Sequence, residues 1–431
     1  MKFLYSDTQD YVDPDFDFLT DSMSPSRERY WHDKYAHELM EPTPYDGLLV
    51  SMSAIRQAKG VASSKVRYST AEEQRLLRIG ARRFLRFDGP KHRDLMLMGD
   101  CGAFAYVNSP KPAYTPKEVV EFYTDAEFTH GVSPDHVIFD CDITNPSKSS
   151  MSKDVVFRYE ITLENARTFL RLTEQEGFPF EPMGAVQGWS PESMANAAQA
   201  LIDMGYKYLA IGGLVPLNVP TIKNVLQTIR EKIGFEAKMH LLGFAKADHI
   251  DEFTGYGITS FDSTSPLIRA FKDERSNYYV DNKRGGLNYY TAIRIPQSMD
   301  NSRLMQGIKR GLFHAEDLQA REQRALSLLR AFDKNRSSCE ETLEAIMDYS
   351  QFLVRGDGKS TALQDKQLAT LRTRIAHTLE DRPWQSCGCD ICRTAGVEVV
   401  IFRGSNRNKR RGFHNLGVYH QHVQRILDKN S

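Results

Sequence analysis

The sequence predicts an α/β protein built around a (β/α)8 TIM barrel, followed by a helical segment and a small subdomain that contains three clustered cysteines. Between about residues 47 and 270, short apolar runs alternate with amphipathic helical stretches, which is typical of buried parallel strands joined by helices. Seven such runs at this spacing fit a barrel of about 250 residues. The length of 431 residues, with 41% hydrophobic and 26% charged side chains, leaves room for additions. An open doubly wound sheet is the alternative.

The predicted elements of the barrel follow in order along this region. Helix starts are well marked, because Thr115-Pro116-Lys117-Glu118 forms a capping box with proline at the first helical position. Ser190-Pro191-Glu192 repeats the combination of cap and proline. The predicted strands are the apolar runs at residues 47–53, 94–104, 136–142, 184–189, 208–214, 239–244 and 258–262.

Four segments are predicted along the chain. Residues 1–46 are rich in Asp, Tyr and Pro and are expected to be an irregular lead-in packed on the barrel. The barrel itself is expected to span residues 47–313 and to be the catalytic domain. Residues 314–383 are expected to form a helical insertion, with helices at 314–333, 339–354 and 361–381. Residues 384–431 form the cysteine-containing subdomain with a basic segment.

Composition excludes several classes of protein. The 56 basic and 56 acidic side chains give zero formal charge, so global charge does not predict a nucleic-acid partner. No apolar run approaches the roughly 18–20 residues that cross a bilayer, so we expect no membrane partner. The start, Met1 to Tyr5, runs directly into acidic residues and does not resemble a secretory signal. We therefore expect a cytoplasmic protein with reduced thiols.

The cysteines predict a metal site near the C-terminus. Cys387, Cys389 and Cys392 lie within six residues, and His414 follows them. Three thiolates and one imidazole form a tetrahedral zinc set, and four protein ligands leave no open position for water, so one structural zinc ion is expected. His420 and His422 are the alternative fourth ligands.

Polar residues end several of the predicted strands. Asp100, Asp140 and Asp262 would bring carboxylates, Gln187 an amide and Gly212-Gly213 a bare backbone to the carboxyl rim, where barrel enzymes hold their active sites. Such a rim could bind a planar heterocycle and perform acid/base or nucleophilic chemistry on it. Each feature also has a structural interpretation, since an aspartate after a strand often caps the next helix and two glycines often form a tight turn.

Taken together and in this order, the motifs resemble the tRNA-guanine transglycosylase family. The resemblance covers about residues 47–425. It rests on Asp100-Cys101-Gly102-Ala103-Phe104, Phe139-Asp140, Val186-Gln187-Gly188, Gly212-Gly213-Leu214, Leu242-Gly243, Phe261-Asp262 with Pro266, and the cysteine segment with His414-Asn415-Leu416.

The resemblance implies a reaction and roles for individual residues. Members of this family exchange a guanine base in a polynucleotide for a free 7-deazaguanine base without cutting the backbone. Asp262 would be the nucleophile at the ribosyl C1′, and Asp100 would protonate the leaving base and deprotonate the incoming one. Two displacements at one carbon require such a nucleophile and a separate acid/base group. The target nucleotide must leave its stack to be reached.

The resemblance also assigns the base-binding residues. Asp140 would pair with the purine edge, helped by Gln187 and the backbone of Gly213. Phe104 and Leu242 would sandwich the ring.

The departures from the family pattern favour its DNA-directed branch, the DNA 7-deazaguanine transglycosylases. The family's Pro-Thr-Arg-x-x-Arg, which helps to hold tRNA, is replaced by Pro266-Leu267-Ile268-Arg269-Ala270-Phe271, and Ala105 and Cys141 also depart from the pattern. This branch inserts 7-cyano-7-deazaguanine into DNA beside accessory proteins of a DNA-modification and restriction system. Basic side chains at residues 403–411 would contact phosphates, although such a run is usually a solvated loop. They are Arg403, Arg407, Lys409, Arg410 and Arg411.

Two other functions remain open at this point. One is a tRNA-guanine transglycosylase with altered motifs, acting on tRNA. The other is a non-catalytic, zinc-containing nucleic-acid-binding subunit, against which the retention of both Asp100 and Asp262 argues. A homodimer is a further expectation from the resemblance.

Overall fold

The computed structural model of the protein describes residues 1–7, 9–57, 66–176, 179–272, 276–282, 286–356 and 361–430. The chain divides into two compact units. The first comprises Met1–Gln9, Tyr45–Thr264 and Val423–Ser431, and the second comprises Asp10–Pro44 and Ser265–His422.

Eight parallel strands close into a barrel in the first unit, which confirms the predicted fold class. Each strand pairs with the next in chain order, and the last pairs with the first in a register that places Asp262 opposite Leu4. The strands are β1 (Lys2–Ser6), β2 (Gly47–Ser51), β3 (Met96–Asp100), β4 (His130–Val132), β5 (Glu181–Val186), β6 (Tyr208–Ile211), β7 (Lys238–Leu241) and β8 (Ser260–Ser263).

Apolar side chains fill much of the barrel interior, as expected for parallel strands that are buried on both faces. Leu242 packs against this cluster from the carboxyl side. The packed interior leaves the carboxyl ends of the strands to carry polar groups. The cluster consists of Leu4, Leu49, Met96, Met98, Val132, Met183, Ala185, Tyr208 and Ala210.

Helices connect the strands of this first unit, and their starts agree with the sequence signals. Thr115 accepts a hydrogen bond from the backbone N–H of Glu118 at 3.3 Å, and Ser190 caps the next predicted helix in the same way. The α-helices are Met52–Ile55, Thr70–Ile79, Ala81–Phe84, Pro116–Asp125, Lys153–Glu176, Pro191–Met204 and Val219–Ile233, with 3-10 turns at Ala103–Tyr106, Lys148–Ser150 and Ala247–Tyr256.

The second unit is mainly helical. Ala315–Asp333, Cys339–Arg355 and Ala362–Asp381 match the three predicted helices within one residue at each end. Short strands pair as Tyr278–Asn282 with Gly286–Tyr290, Ile293–Arg294 with Ile401–Phe402, and Tyr11–Val12 with Lys34–Tyr35. The remaining helices are Arg29–His32, Ala36–Leu39, Ser265–Ala270, Ser302–Lys309, Pro383–Ser386, Asp390–Ala395 and Gly404–Asn430, with 3-10 turns at Ser298–Asp300 and Gly396–Val400. Among all the residues described, no helix is long and apolar enough to cross a membrane.

Two strand predictions are wrong. The first barrel strand, β1, lies within residues 1–46, which the sequence predicts to be an irregular lead-in. The fourth strand is β4 at His130–Val132 rather than residues 136–142. β4 is short and contains Gly131, where a Cβ atom would lie 2.5 Å from the Tyr123 ring. The apolar residues Val137 and Ile138 are buried in the loop that follows it.

Candidate active site

A cavity of about 360 Å³ lies at the carboxyl end of the barrel. This volume is within the usual range for a small-molecule site. Six of the seven residues predicted for catalysis and base binding line it, and the seventh, Asp140, does not. The six are Asp100, Asp262, Gln187, Gly213, Phe104 and Leu242.

Asp262 is 6% exposed and is held by three hydrogen bonds. Its Oδ1 accepts from the backbone N–H of Gly243 at 2.8 Å and lies 3.2 Å from Nε2 of His240. Its Oδ2 accepts from the hydroxyl of Ser6 at 2.5 Å. Three donors around one carboxylate fix its orientation and stabilise its negative charge. Asp262 therefore has the geometry of a positioned nucleophile.

Asp100 ends β3 and is surrounded by other carboxylates. Oxygen atoms of Asp100 and Asp135 and the Cys101 sulfur all lie within 4.8 Å of one another. Burial, then the charges of Asp135 and Asp262, raise the pKa of Asp100 to about 7. A carboxyl with this pKa can both donate and accept a proton near neutral pH, which suits a general acid/base.

Asp135 is the residue that the sequence interpretation missed. It is 2% exposed and lines the cavity. Its Oδ2 accepts from Gln187 Nε2 at 2.6 Å, and its Oδ1 accepts from the Cys101 thiol at 3.2 Å. Burial raises its pKa. It lies three positions after Val132, where β4 ends. The sequence feature that could have identified it is Ser133-Pro134-Asp135, directly after the short strand His130-Gly131-Val132.

The structure also changes the predicted position of Asp140. The prediction placed it at the end of a strand at residues 136–142, but that segment is a loop and the Asp140 side chain is exposed. The prediction that Asp140 follows the end of a strand is wrong, because the strand ends eight residues earlier, at Val132, and Asp140 is not among the residues that line the cavity.

Gln187 and the paired glycines form one wall of the cavity. Gln187 Oε1 accepts from the backbone N–H of Ile138 at 3.2 Å, which fixes the amide beside Asp135. A Cβ on Gly212 would lie 2.2 Å from Gln187 Nε2, and one on Gly213 would lie 2.7 Å from the Ile138 carbonyl oxygen. Gly213 also has φ of +72°, which favours glycine. These positions therefore require glycine.

Two apolar side chains border the cavity. Phe104 is 53% exposed and its ring lies 5.4 Å from that of Phe139. Leu242 is only partly buried. An exposed aromatic ring and an aliphatic side chain lining one cavity can clamp a planar ring between them.

The four predicted metal ligands come together in the second unit. The Nδ1 atom of His414 lies 3.6, 3.4 and 3.3 Å from the sulfur atoms of Cys387, Cys389 and Cys392. The other ring nitrogen, Nε2, lies 2.7 Å from the carbonyl oxygen of Tyr279, which is the usual support for a metal-binding histidine. The donor set fits one metal ion in tetrahedral coordination. His420 and His422, the alternatives, are outside this cluster.

The predicted phosphate-binding arginines are buried instead. They lie on the helix Gly404–Asn430 or just before it, and Arg403, Arg407, Arg410 and Arg411 are 4%, 1%, 3% and 0% exposed. Arg403 pairs with Asp21 at 2.5 Å and Glu322 at 2.7 Å, and Arg407 pairs with Asp21 and, at 2.7 Å, with Glu398.

The other members of this basic run are also held within the protein. Arg410 donates to the carbonyl oxygen of Asp13, and Arg411 donates to that of Ala270. The Lys409 ammonium lies 3.8 Å from Asp10 and is 19% exposed. The prediction of phosphate contacts is therefore wrong for the four arginines, because their guanidinium groups are already bonded and enclosed.

Comparison with known proteins agrees with this site. No protein-family model matches the chain. A DNA-guanine transglycosylase of Salmonella montevideo is 38% identical over 432 residues, which cover 100% of this chain and 98% of the relative. Identity at this level over the whole chain shows common descent. The protein is thus a pentosyltransferase, and it belongs to the tRNA-guanine transglycosylase family, in the branch of the DNA-guanine transglycosylases.

Proposed function

We propose that this protein exchanges guanine in DNA for a free 7-deazaguanine base, with 7-cyano-7-deazaguanine as the expected base, through a covalent aspartyl-glycosyl intermediate. The observation that supports this most is the pair of carboxylates in one cavity. Asp262 accepts three hydrogen bonds, whereas the pKa of Asp100 is raised to about 7. Two carboxyl groups in such different environments can take different roles, one as the nucleophile and the other as the acid/base group.

The first displacement forms the intermediate. A carboxylate oxygen of Asp262 attacks C1′ of the target nucleotide, and the bond from C1′ to the guanine nitrogen breaks with its electron pair leaving on the base. Protonated Asp100 gives its proton to that base, which leaves as neutral guanine. Asp100 is then the carboxylate that the second displacement requires.

The second displacement is the reverse with another base. The incoming 7-deazaguanine loses its ring N–H proton to Asp100, and the same nitrogen attacks C1′. The bond between C1′ and Asp262 breaks and its electron pair returns to the carboxylate. The backbone stays intact because neither step touches a phosphodiester bond.

Asp135, rather than Asp140, is the acceptor that we propose for the purine edge. Guanine and 7-deazaguanine present N–H donors beside a carbonyl oxygen on that edge. The buried carboxylate of Asp135 accepts from Gln187 at 2.6 Å, and both face the cavity with the backbone of Gly213. Phe104 and Leu242 would hold the two faces of the ring.

Two observations favour DNA over tRNA. The relative that is 38% identical is named a DNA-guanine transglycosylase. The positions at which the family holds tRNA with arginine are the apolar residues Ile268 and Phe271, each 38% exposed. The resemblance further implies a structural zinc ion at the cysteine cluster, a homodimer, and accessory proteins of a DNA-modification and restriction system.

The test is a comparison of polynucleotides. The full chain is incubated with labelled 7-cyano-7-deazaguanine and either DNA or tRNA, and label in the polymer is counted. We expect label in DNA and none with Asp262→Asn, which cannot form the glycosyl ester. Label confined to tRNA would instead support a tRNA enzyme. No label and no trapped adduct with any polynucleotide would support a non-catalytic subunit.

A further inference from the structure

A chain of buried polar side chains continues from Asp262 into the barrel core. His240 Nε2 lies 3.2 Å from Asp262 Oδ1, and His240 Nδ1 lies 2.6 Å from the hydroxyl of Ser260. That hydroxyl lies 2.6 Å from the hydroxyl of Tyr208. His240 and Ser260 are 0% exposed and Tyr208 is 2% exposed. Buried polar groups of this kind are costly unless every one is satisfied.

The hydrogen positions in this row of side chains follow from the chemistry of its two ends, the Asp262 carboxylate and the Tyr208 hydroxyl. An ionised carboxylate can only accept, so the Nε2 atom of His240 carries the hydrogen that faces Asp262. In a neutral ring Nδ1 then accepts from Ser260, whose oxygen accepts in turn from Tyr208. Burial raises the pKa of Tyr208 to about 12, so its hydroxyl keeps the proton that it donates. Each of these four side chains then has a hydrogen-bond partner, and every hydrogen bond in the row is donated in the direction of Asp262.

The two oxygens of Asp262 are held differently. Oδ1 receives two donors that cannot turn away, the backbone N–H of Gly243 and the ring of His240. Within the described part of the chain, Oδ2 receives a hydrogen bond from the hydroxyl of Ser6 alone, which can rotate toward another acceptor. Oδ2 is therefore the oxygen that is available to attack C1′, and Oδ1 is the oxygen through which His240 acts.

Resting on the proposed function, we infer that His240 is a positioning residue that makes Asp262 a good leaving group in the second displacement. The bond from His240 is charge-assisted while Asp262 is a carboxylate and becomes an ordinary one when Asp262 is esterified. Charge-assisted hydrogen bonds are roughly twice as strong as neutral ones. His240 therefore stabilises the free carboxylate more than the glycosyl ester, and favours breakdown of the intermediate over its accumulation.

This role predicts a particular pattern of defects. Loss of the His240 donor raises the free energy of the carboxylate relative to the ester. The covalent adduct should then accumulate while its reaction with an incoming base slows. A residue with a merely structural role would lower both adduct formation and turnover.

The three variants differ in which hydrogen-bonding group they keep. His240→Leu removes the donor and fills similar space. His240→Gln places an amide nitrogen at about the position of the ring Nε2 and keeps the donor. Ser260→Ala keeps the ring but removes the hydroxyl that fixes its tautomer.

The experiment measures adduct and turnover separately. Each full-length variant is incubated with guanine-containing DNA, quenched in denaturant and resolved on a denaturing gel, and the adduct is then chased with free guanine. For His240→Leu we expect roughly tenfold more adduct relative to free protein and a chase roughly tenfold slower, the scale of one hydrogen bond to a charged group. His240→Gln should stay close to wild type.

Each outcome decides a separate point. Two results would overturn the role of His240 alone. One is a wild-type adduct and a His240→Leu adduct that are chased at the same rate, and the other is equal defects in the Leu and Gln variants. If His240→Leu does not fold, Ser260→Ala decides, with a slower chase supporting the role and an unchanged one overturning it. Absence of a wild-type adduct with DNA or tRNA would refute the proposed function itself.

Discussion

Replacing Asp100 with asparagine tests how the cavity sets the charge of this carboxyl. Burial and the neighbouring Asp135 and Asp262 raise the pKa of Asp100 from 3.8 to about 7. Between these two values the folded protein holds a proton that the unfolded chain releases. Stability therefore falls as the pH rises through this window, and the full penalty is present above about pH 7. Asp100→Asn cannot ionise and escapes that penalty.

The magnitude follows from the two pKa values. The difference between 3.8 and about 7 corresponds to about 4 kcal/mol if the carboxyl is fully enclosed. Asp100 borders an open cavity, so water screens part of this effect, and we expect roughly 1–2 kcal/mol. Asparagine keeps an oxygen for the backbone N–H of Gly102, which lies 2.9 Å from Asp100 Oδ2, so this hydrogen bond need not be lost.

Urea unfolding at about pH 8 and about pH 4.5 measures the effect. We expect Asp100→Asn to be more stable than wild type at the higher pH, with a difference that shrinks at the lower pH, while base exchange is lost. Asp140→Asn is the matched control, because the Asp140 side chain is exposed and outside the cavity, and it should change neither property. A stability difference for Asp100→Asn that is equal at both pH values would refute the reasoning.

Three further predictions concern the site and the metal cluster. The rate of guanine release in a single turnover should fall above about pH 7, because Asp100, whose pKa is raised to about 7, must be protonated to serve the leaving base; a flat profile from pH 6 to 9 would contradict this. Asp135→Asn should raise the KM for the incoming base at least tenfold, as expected for losing a charged acceptor, whereas Asp140→Asn should leave it unchanged. Cys389→Ser should release about one equivalent of zinc, measured by metal analysis, and lower the stability of the second unit; an unchanged metal content would refute the ligand set.

The sequence predicts the barrel and most of its rim because strand ends are local features. Asp100 and Asp262 each follow or end an apolar run, and both line the cavity. Asp140 also follows an apolar run, Val137-Ile138-Phe139, but that run belongs to a loop. The true strand offers only one large apolar side chain, Val132. A pattern based on apolar runs cannot detect so short a strand, and the choice between Asp135 and Asp140 depends on it.

The basic segment could not be interpreted correctly from local sequence for a different reason. Arg403 and Arg407 share Asp21, which lies more than 380 residues earlier in the chain. Glu322 and Glu398 complete the pairs from other segments. A run of charges without local acids predicts a solvated surface unless its distant partners are known. Burying these guanidinium groups without their partners would be costly, so removal of Asp21 should destabilise this unit by several kcal/mol.

The chemistry of the cavity depends on how differently its carboxylates are supported. Asp262 receives Gly243, His240 and Ser6 as donors, so its charge is stabilised before substrate arrives. Asp100 has another carboxylate within 4.8 Å, so its charge is opposed. A nucleophile must stay ionised, and an acid must hold a proton until the base leaves. The fold supplies this difference by ending β3 and β8 at the same rim with unlike neighbours, and the identity of the two residues alone would not supply it.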